Sequence, residues 1–395
     1  MKNQSLIRLI APCPEEVKET VVSELKEIGI EQITQTYKAI DFITNKEQFY
    51  LCHLKLSTAS SILKVIKEFP KIKANQVYKK ARQIKWNKIF SNNKSFRVDA
   101  TIGGRGRHLP SSNLISKEIR KAIQDDFNSA KENIPEVSLK KPHVIITAFY
   151  SEKSLIIACN TALTALHKRG YRTKGHPAPL KETIASSLIQ FSGYNGTQAL
   201  FDPMCGSGTI VIEACYKALN KACNIHRKKN NFGFEHLLDF DKDLWRDIQD
   251  KVRLEKKEQL DKPILAQDIS SEYITMAKEN SRRAKVEKFL SFEHKSFFDS
   301  TKPYNSGILI SNLPYGDRLS QKEDFLEFYK KIGDHLKKHY SGWKVCLLVS
   351  ENSPWKFIGL KPTNKINILN GDIKVKFLTF DIYEGSKKLK KQLAI

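Results

Sequence analysis

The stretch Ile308-Leu309-Ile310-Ser311-Asn312-Leu313-Pro314-Tyr315-Gly316 is an apolar run that stops at an amide, a proline and an aromatic ring. Those are the parts needed to hold the exocyclic amine of a flat base. Such an amine is a poor nucleophile, because its lone pair is delocalised into the ring. The Asn312 side-chain oxygen and the Leu313 carbonyl could each accept one N–H bond and steer the lone pair toward a methyl donor, with Pro314 stiffening the turn and Tyr315 stacked on the base. Acceptors already in place stabilise the developing positive charge, so no strong general base is required. The magnitudes agree: extruding a base costs a few kcal/mol, one aromatic stack returns about 1–3 kcal/mol, and two hydrogen bonds of about 1 kcal/mol each bring the balance near zero.

Asn-x-Pro also punctuates ordinary loops, so a second element matters. Leu200-Phe201-Asp202-Pro203-Met204-Cys205-Gly206-Ser207-Gly208-Thr209 reads as a strand end, a glycine turn and the start of a helix. Gly206 and Gly208 let the backbone pass close to a ligand, and the helix offers unpaired N–H groups. Position 211 is Val, which excludes the dinucleotide fingerprint, and no Gly-Lys-Ser or Gly-Lys-Thr follows. A cofactor here need not carry phosphates. Asp268, after Ile264-Leu265-Ala266-Gln267, could accept bonds from vicinal ribose hydroxyls; the alternative is a cap for the next helix, which Ser270 could also supply.

The elements that must position these residues alternate. Strands at 198–202, 263–267, 289–294, 306–311 and 343–349, with helices at 209–219, 271–284 and 322–339, give the rhythm of an open parallel sheet. Asn370-Gly371 between two apolar runs, 366–369 and 375–380, predicts a closing antiparallel hairpin. Residues 220–262 interrupt the rhythm as a polar insertion carrying Trp245. Upstream, a strand at 6–11, helices at 14–30, 45–68 and 113–127, and strands at 96–100, 144–150 and 154–159 predict an α+β module, handing over near 166–179.

A formal charge of +24 implies a polyanionic partner. The excess is local: Lys55 to Arg107 holds fourteen Lys or Arg against Glu68 and Asp99, while the first fifty residues hold six bases and eight acids. Gly103-Gly104-Arg105-Gly106-Arg107 could bring two guanidiniums to a phosphate, or form a flexible hairpin loop. Seven scattered cysteines without a Cys-x-x-Cys pair argue against disulfides and zinc. The N-terminus carries no signal-peptide pattern, and no run is long enough to span a membrane; a cytoplasmic chain without metal is expected.

Together with Leu166-His167-Lys168-Arg169-Gly170-Tyr171-Arg172, Ala178-Pro179-Leu180-Lys181-Glu182-Thr183, Phe232-Gly233-Phe234 and Trp245, these motifs resemble the THUMP-domain class I RNA methyltransferases, in particular the bacterial RlmL-type 23S rRNA guanine-N2 methyltransferases. The resemblance covers nearly the whole chain. It implies a Rossmann-like α/β methyltransferase domain over 177–384, a ferredoxin-like region over 1–50, a THUMP RNA-binding domain over 51–160, a linker over 161–176 and a basic tail over 385–395. It implies S-adenosylmethionine as cofactor, with Asp202, Gly206 and Gly208 lining the methionine part, Asp268 the ribose, and Cys205, Ser296 and Asn312 also among the cofactor-binding residues. Asn312, Leu313, Pro314 and Tyr315 would hold the guanine. Read from the basic character of their segments, Arg97, Arg105, Arg107, Arg169 and Arg172 are the candidate RNA contacts. The partner would be 23S rRNA or a large-subunit precursor. Two positions depart from the pattern: Leu313 stands where proline is usual, and Ser296 where an acid commonly meets the adenine, a contact that Ser296 or Asp299 could take over. Transfer to tRNA guanine, to adenine N6 or glutamine N5, and a non-catalytic assembly factor are the competing readings. Chains of this type can carry a second methyltransferase domain; ending at Ile395, this one is expected to have a single activity.

Overall fold

Alternating apolar runs and amphipathic stretches give two seven-stranded sheets in the computed structural model, which describes residues 6–104, 109–172, 180–228, 231–314, 322–371 and 373–383. Two compact units form: Met1–Lys168 with Arg227–Lys251, and Arg169–His226 with Val252–Ile395.

The first unit contains β1 (Ile7–Pro12), α1 (Lys18–Glu27), β2 (Ile33–Thr36), β3 (Ala39–Thr44), α2 (Lys46–Lys55), β4 (Leu63–Pro70), α3 (Val77–Ala81), β5 (Phe96–Ile102), α4 (Ser112–Ser129), β6 (Val144–Tyr150) and β7 (Ser154–Asn160). One sheet of order β2-β3-β1-β4-β7-β6-β5 carries them all. The expected boundary at 50/51 falls inside α2. The expected helix over 45–68 is corrected: α2 starts at an Asn45–Gln48 capping box and stops at Lys55, and 63–70 is strand β4. The break has a tertiary cause. Ser57 and Thr58 turn their N–H and hydroxyl groups onto the buried Glu24 carboxylate of α1, which replaces the helical bonds there. Residues expected as linker are also anchored: Thr161 N–H donates to Ile62 O, and Leu166 N–H to Ser60 O.

The insertion is where the sequence is most misleading. Between residues 227 and 251 it folds into the first unit, although its sequence interrupts the second. Phe232, Phe234 and Trp245 are buried, and the Phe234 ring lies 5.6, 5.2 and 4.7 Å from the rings of Phe49, Tyr50 and His53 on α2. Asp239 accepts from Lys46 and Lys64, and Arg227 donates to the carbonyls of Ala162 and Thr164. His53, buried between Phe49 O and Thr161 Oγ1, is held neutral by burial, with its pKa down to about 3. It is a core hydrogen-bonding residue.

The second unit holds α5 (Glu182–Phe191), β8 (Leu200–Asp202), α6 (Thr209–Ala218), β9 (Ile264–Asp268), α8 (Ser271–Arg283), β10 (Leu290–His294), β11 (Ile308–Asn312), α9 (Lys322–His339), β12 (Lys344–Ser350), β13 (Asn364–Asn370) and β14 (Ile373–Asp381); α7 (Lys242–Leu254) lies in the insertion. The order is β10-β9-β8-β11-β12-β14-β13, parallel from β10 to β12 and antiparallel in the closing hairpin. Strands buried on both faces read as continuous apolar runs. Ile310, Cys346 and Leu348 join the α5, α6 and α8 core, whereas Leu309, Val345 and Leu347 join that of α9.

Candidate functional site

Strand order reverses between β8 and β11, so a ligand crevice belongs beyond their carboxyl ends. Asp202 ends β8, Asp268 ends β9 and Asn312 ends β11; Ser296 stands two residues past β10. Four residues picked from sequence thus share one sheet edge.

Hydrogen bonds tie that edge together. Ser311 Oγ donates to Asp202 Oδ1 at 2.7 Å, joining β11 to β8, and Met204 N–H donates to the same oxygen at 3.3 Å. Burial pushes the Asp202 carboxyl up to about 7, against those two bonds and with the nearby Asp268 charge adding to the rise. The folded protein therefore holds this proton more tightly than the unfolded chain. The stability gained is complete below the ordinary carboxylate range and is lost as pH rises through about 7.

The glycine turn is strung on four bonds: Cys205 N–H to Gln267 O at 2.9 Å, Gly206 N–H to Asp268 Oδ2 at 2.9 Å, Gly208 N–H to Cys205 O at 2.8 Å, and Asn280 Nδ2 to Ser207 O at 2.9 Å. Gly206 and Gly208 have φ of +52° and +78°, a region that side chains disfavour. A Cβ on Gly208 would also lie 3.0 Å from Ala277 Cβ of α8. Cys205 is a protonated thiol, because burial pushes its pKa well above the usual range. Its backbone, not a thiolate, shapes the turn.

Asp268 is nearly buried, with Oδ2 on Gly206 and Oδ1 accepting from Ser270 N–H at 3.0 Å. Each oxygen keeps a lone pair, so the residue both braces the glycine turn and can still accept a hydroxyl. Ser270 supplies the helix cap, on Tyr273 N–H. Ser296 caps the short helix 297–299, its Oγ accepting from Phe298 N–H at 3.3 Å, and Asp299 is exposed. Lys295 N–H donates to Asp268 O, which sets Ser296 beside Asp268.

Asn312 Oδ1 is buried and has no hydrogen-bond donor among the described residues; the same is true of Gln267 Oε1. An unpaired buried acceptor costs about 1–3 kcal/mol, which a ligand N–H can recover. Leu313 has a clear structural role. Its side chain is fully buried with Phe201, Leu309 and Tyr329, and its N–H donates to Leu348 O at 3.0 Å, a bond proline cannot make. Pro314 is half-buried; Tyr315 lies outside the described residues.

Among the arginines, the structure corrects one expectation. Arg169 is buried, 3.6 Å from Glu213 and donating to Asn224 Oδ1, and so cannot present its guanidinium to RNA. Arg172 is also engaged internally, on Leu180 O and Thr209 Oγ1. Arg97 of β5 bonds Asp99 on the same strand and Leu139 O outside it; Arg105 and Arg107 lie outside the described residues. The sequence reading missed Ile269, an apolar side chain 71% exposed directly after Asp268, together with Gln267 and Asn280. A polar residue ending an apolar strand was the available signal for Gln267. No group of three or more His, Cys, Asp or Glu suited to a metal occurs among the described residues. No described helix is long and apolar enough to cross a membrane.

This strand order, with its closing antiparallel hairpin and glycine turn at the switch point, defines a class I methyltransferase fold. The family described as "RMKL-like, methyltransferase domain" matches residues 169–378, more than half of the chain, and a THUMP domain matches 72–160. The chain belongs to the RMKL-like methyltransferase family. It is similar to "Ribosomal RNA large subunit methyltransferase K/L" of Shewanella frigidimarina, with 31% identity over 97% of this chain and 54% of that protein. It is also similar to "Putative RNA methyltransferase slr0064" of Synechocystis, with 29% identity over 91% of this chain and 93% of that protein. The crystal structure of a possible methylase from Clostridium difficile matches with a TM-score of 0.86 and 26% identity, covering 97% of this chain and all of that one. The chain spans about half the length of the Shewanella K/L relatives it is similar to.

Proposed function

We propose that this chain is an S-adenosylmethionine-dependent RNA methyltransferase that places a methyl group on the exocyclic N2 of a guanine in 23S rRNA. The observation that carries this reading is the orphaned acceptor Asn312 Oδ1, buried at the end of β11 and tied through Ser311 to the strand bearing the glycine turn. When bound, the cofactor supplies an electrophilic methyl group. Asn312 Oδ1 and the Leu313 carbonyl accept the two N–H bonds of the guanine amine and hold its lone pair in line. Tyr315 stacks on the base, and Pro314 and the buried Leu313 keep the turn rigid. Asp202 and the turn from Cys205 to Gly208 hold the methionine part, Asp268 the ribose, and Ile269 with Ser296 the adenine. The basic module over residues 1–160 recruits the RNA, as its THUMP match supports. A cytoplasmic location follows from that substrate.

Purified protein, labelled S-adenosylmethionine and RNA from cells lacking the gene test this. Label should enter 23S rRNA; label in tRNA alone would overturn the rRNA assignment, and none in either RNA would overturn the enzymatic reading.

A cationic amino group bound beside Asp202 favours the carboxylate, so affinity for S-adenosylhomocysteine should rise with pH. Calorimetry should find binding about tenfold tighter at pH 8 than at pH 6, with proton release at the lower pH. A flat profile would mean that Asp202 does not change its protonation on binding. Affinity for rRNA should fall steeply with salt, by about 10³-fold or more between 50 and 200 mM if six or more phosphates are neutralised. A flat salt profile would contradict the basic-surface reading.

A further inference from the structure

Tyr171 and the two arginines flanking it sit in a basic stretch that invites an RNA role, yet the structure turns all three inward. Arg172 Nη2 donates to Thr209 Oγ1 at 3.0 Å and to Leu180 O at 2.7 Å, and its Nε lies 3.3 Å from Glu182 Oε1. Thr209 is the first residue of α6, directly after Gly208, and its Oγ1 lies 3.3 Å from Ser207 Oγ. Glu182 opens α5, and Leu180 directly precedes its N-cap residue Lys181. One planar guanidinium therefore joins the start of α5 to the glycine turn. One helical turn further along α6, Glu213 accepts from Tyr171 Oη at 3.0 Å and from Ser186 Oγ of α5 at 2.6 Å, with Arg169 buried beside it.

We infer that Arg172 is a positioning residue for the cofactor site, acting through Thr209 on the Gly206–Gly208 turn, and that the Arg169–Arg172 segment is not an RNA contact. The physical reason lies in the turn itself. Glycines at positive φ allow close approach but lack side chains to pin them, so their geometry must be fixed from outside. A planar guanidinium can hold a hydroxyl and a carbonyl through Nη2 while its Nε faces the Glu182 carboxylate, a spread of donors that a single ammonium nitrogen cannot reproduce. This inference rests on the cofactor reading above.

The test uses the full chain with Thr209→Val, which removes the acceptor and keeps the shape, and Arg172→Lys, which keeps the charge and removes the fork. S-adenosylhomocysteine affinity is measured by calorimetry, RNA affinity by filter binding, and amide exchange of the glycine turn without ligand. Each variant should bind S-adenosylhomocysteine about tenfold more weakly, the size of one charge-assisted hydrogen bond. The double variant should be no weaker than the worse single one, since both remove the same bond. The turn should exchange faster and RNA affinity should hold. Unchanged S-adenosylhomocysteine affinity in Thr209→Val, or a loss confined to RNA binding in Arg172→Lys, would overturn the inference. Wild-type protein that binds no S-adenosylhomocysteine would overturn the functional reading instead; ligand-free exchange then decides, and unchanged rates in Thr209→Val overturn this inference too.

Discussion

Asn312→Ala should lower kcat about 10²–10³-fold, the cost of removing one preorganised polar group from a transition state. Affinity for S-adenosylhomocysteine should stay within about twofold, or some 0.4 kcal/mol. The split follows from where the residue sits. Its side-chain oxygen makes no bond among the described residues, so removing it costs the fold little. The groups assigned to the methionine part and the ribose belong to β8, β9 and the glycine turn, which keep their own bonds through Ser311, Gln267 and Asn280. Single-turnover kinetics with calorimetry separate the two effects. Parallel loss of rate and cofactor affinity would remove Asn312 from the role of amine acceptor.

Phe234→Ala carries the largest expected effect on stability, about 3–5 kcal/mol. That is a large share of the 5–15 kcal/mol that holds a typical domain together. Phe234 lies within the stretch that matches the methyltransferase family, but its ring packs against Phe49, Tyr50 and His53 of the first unit. The loss should therefore fall on the first unit, proposed above to recruit the RNA. Denaturant unfolding should show an early transition accompanied by loss of RNA affinity, with S-adenosylhomocysteine binding retained. Unchanged unfolding, or loss of cofactor binding first, would contradict the assignment of 227–251 to the first unit. By the same argument a fragment starting after residue 165 is expected to expose Phe232, Phe234 and Trp245 and to aggregate.

The sheet edge was legible because its residues declare themselves locally. A strand ending in Asp202 before two glycines, and another ending in Asn312 before Leu313-Pro314, need only a few residue types in order, and the parallel sheet brings their ends together. What was not legible depends on partners distant in the chain. The end of α2 is set by Glu24 of α1, and the insertion's place by aromatic rings on α2. The value of Leu313 over proline is set by Leu348 on the neighbouring strand. Net charge likewise cannot distinguish a guanidinium on the surface from one beside a buried carboxylate, as Arg169 beside Glu213 shows.

Base-amine methylation is tested most directly by nucleoside mass spectrometry of 23S rRNA after reaction with the purified protein and S-adenosylmethionine. N2-methylguanosine should appear at about one equivalent per transcript with wild-type protein and should form about 10²–10³-fold more slowly with Asn312→Ala. N6-methyladenosine as the product, or N2-methylguanosine formed equally by the Asn312 variant, would contradict the account.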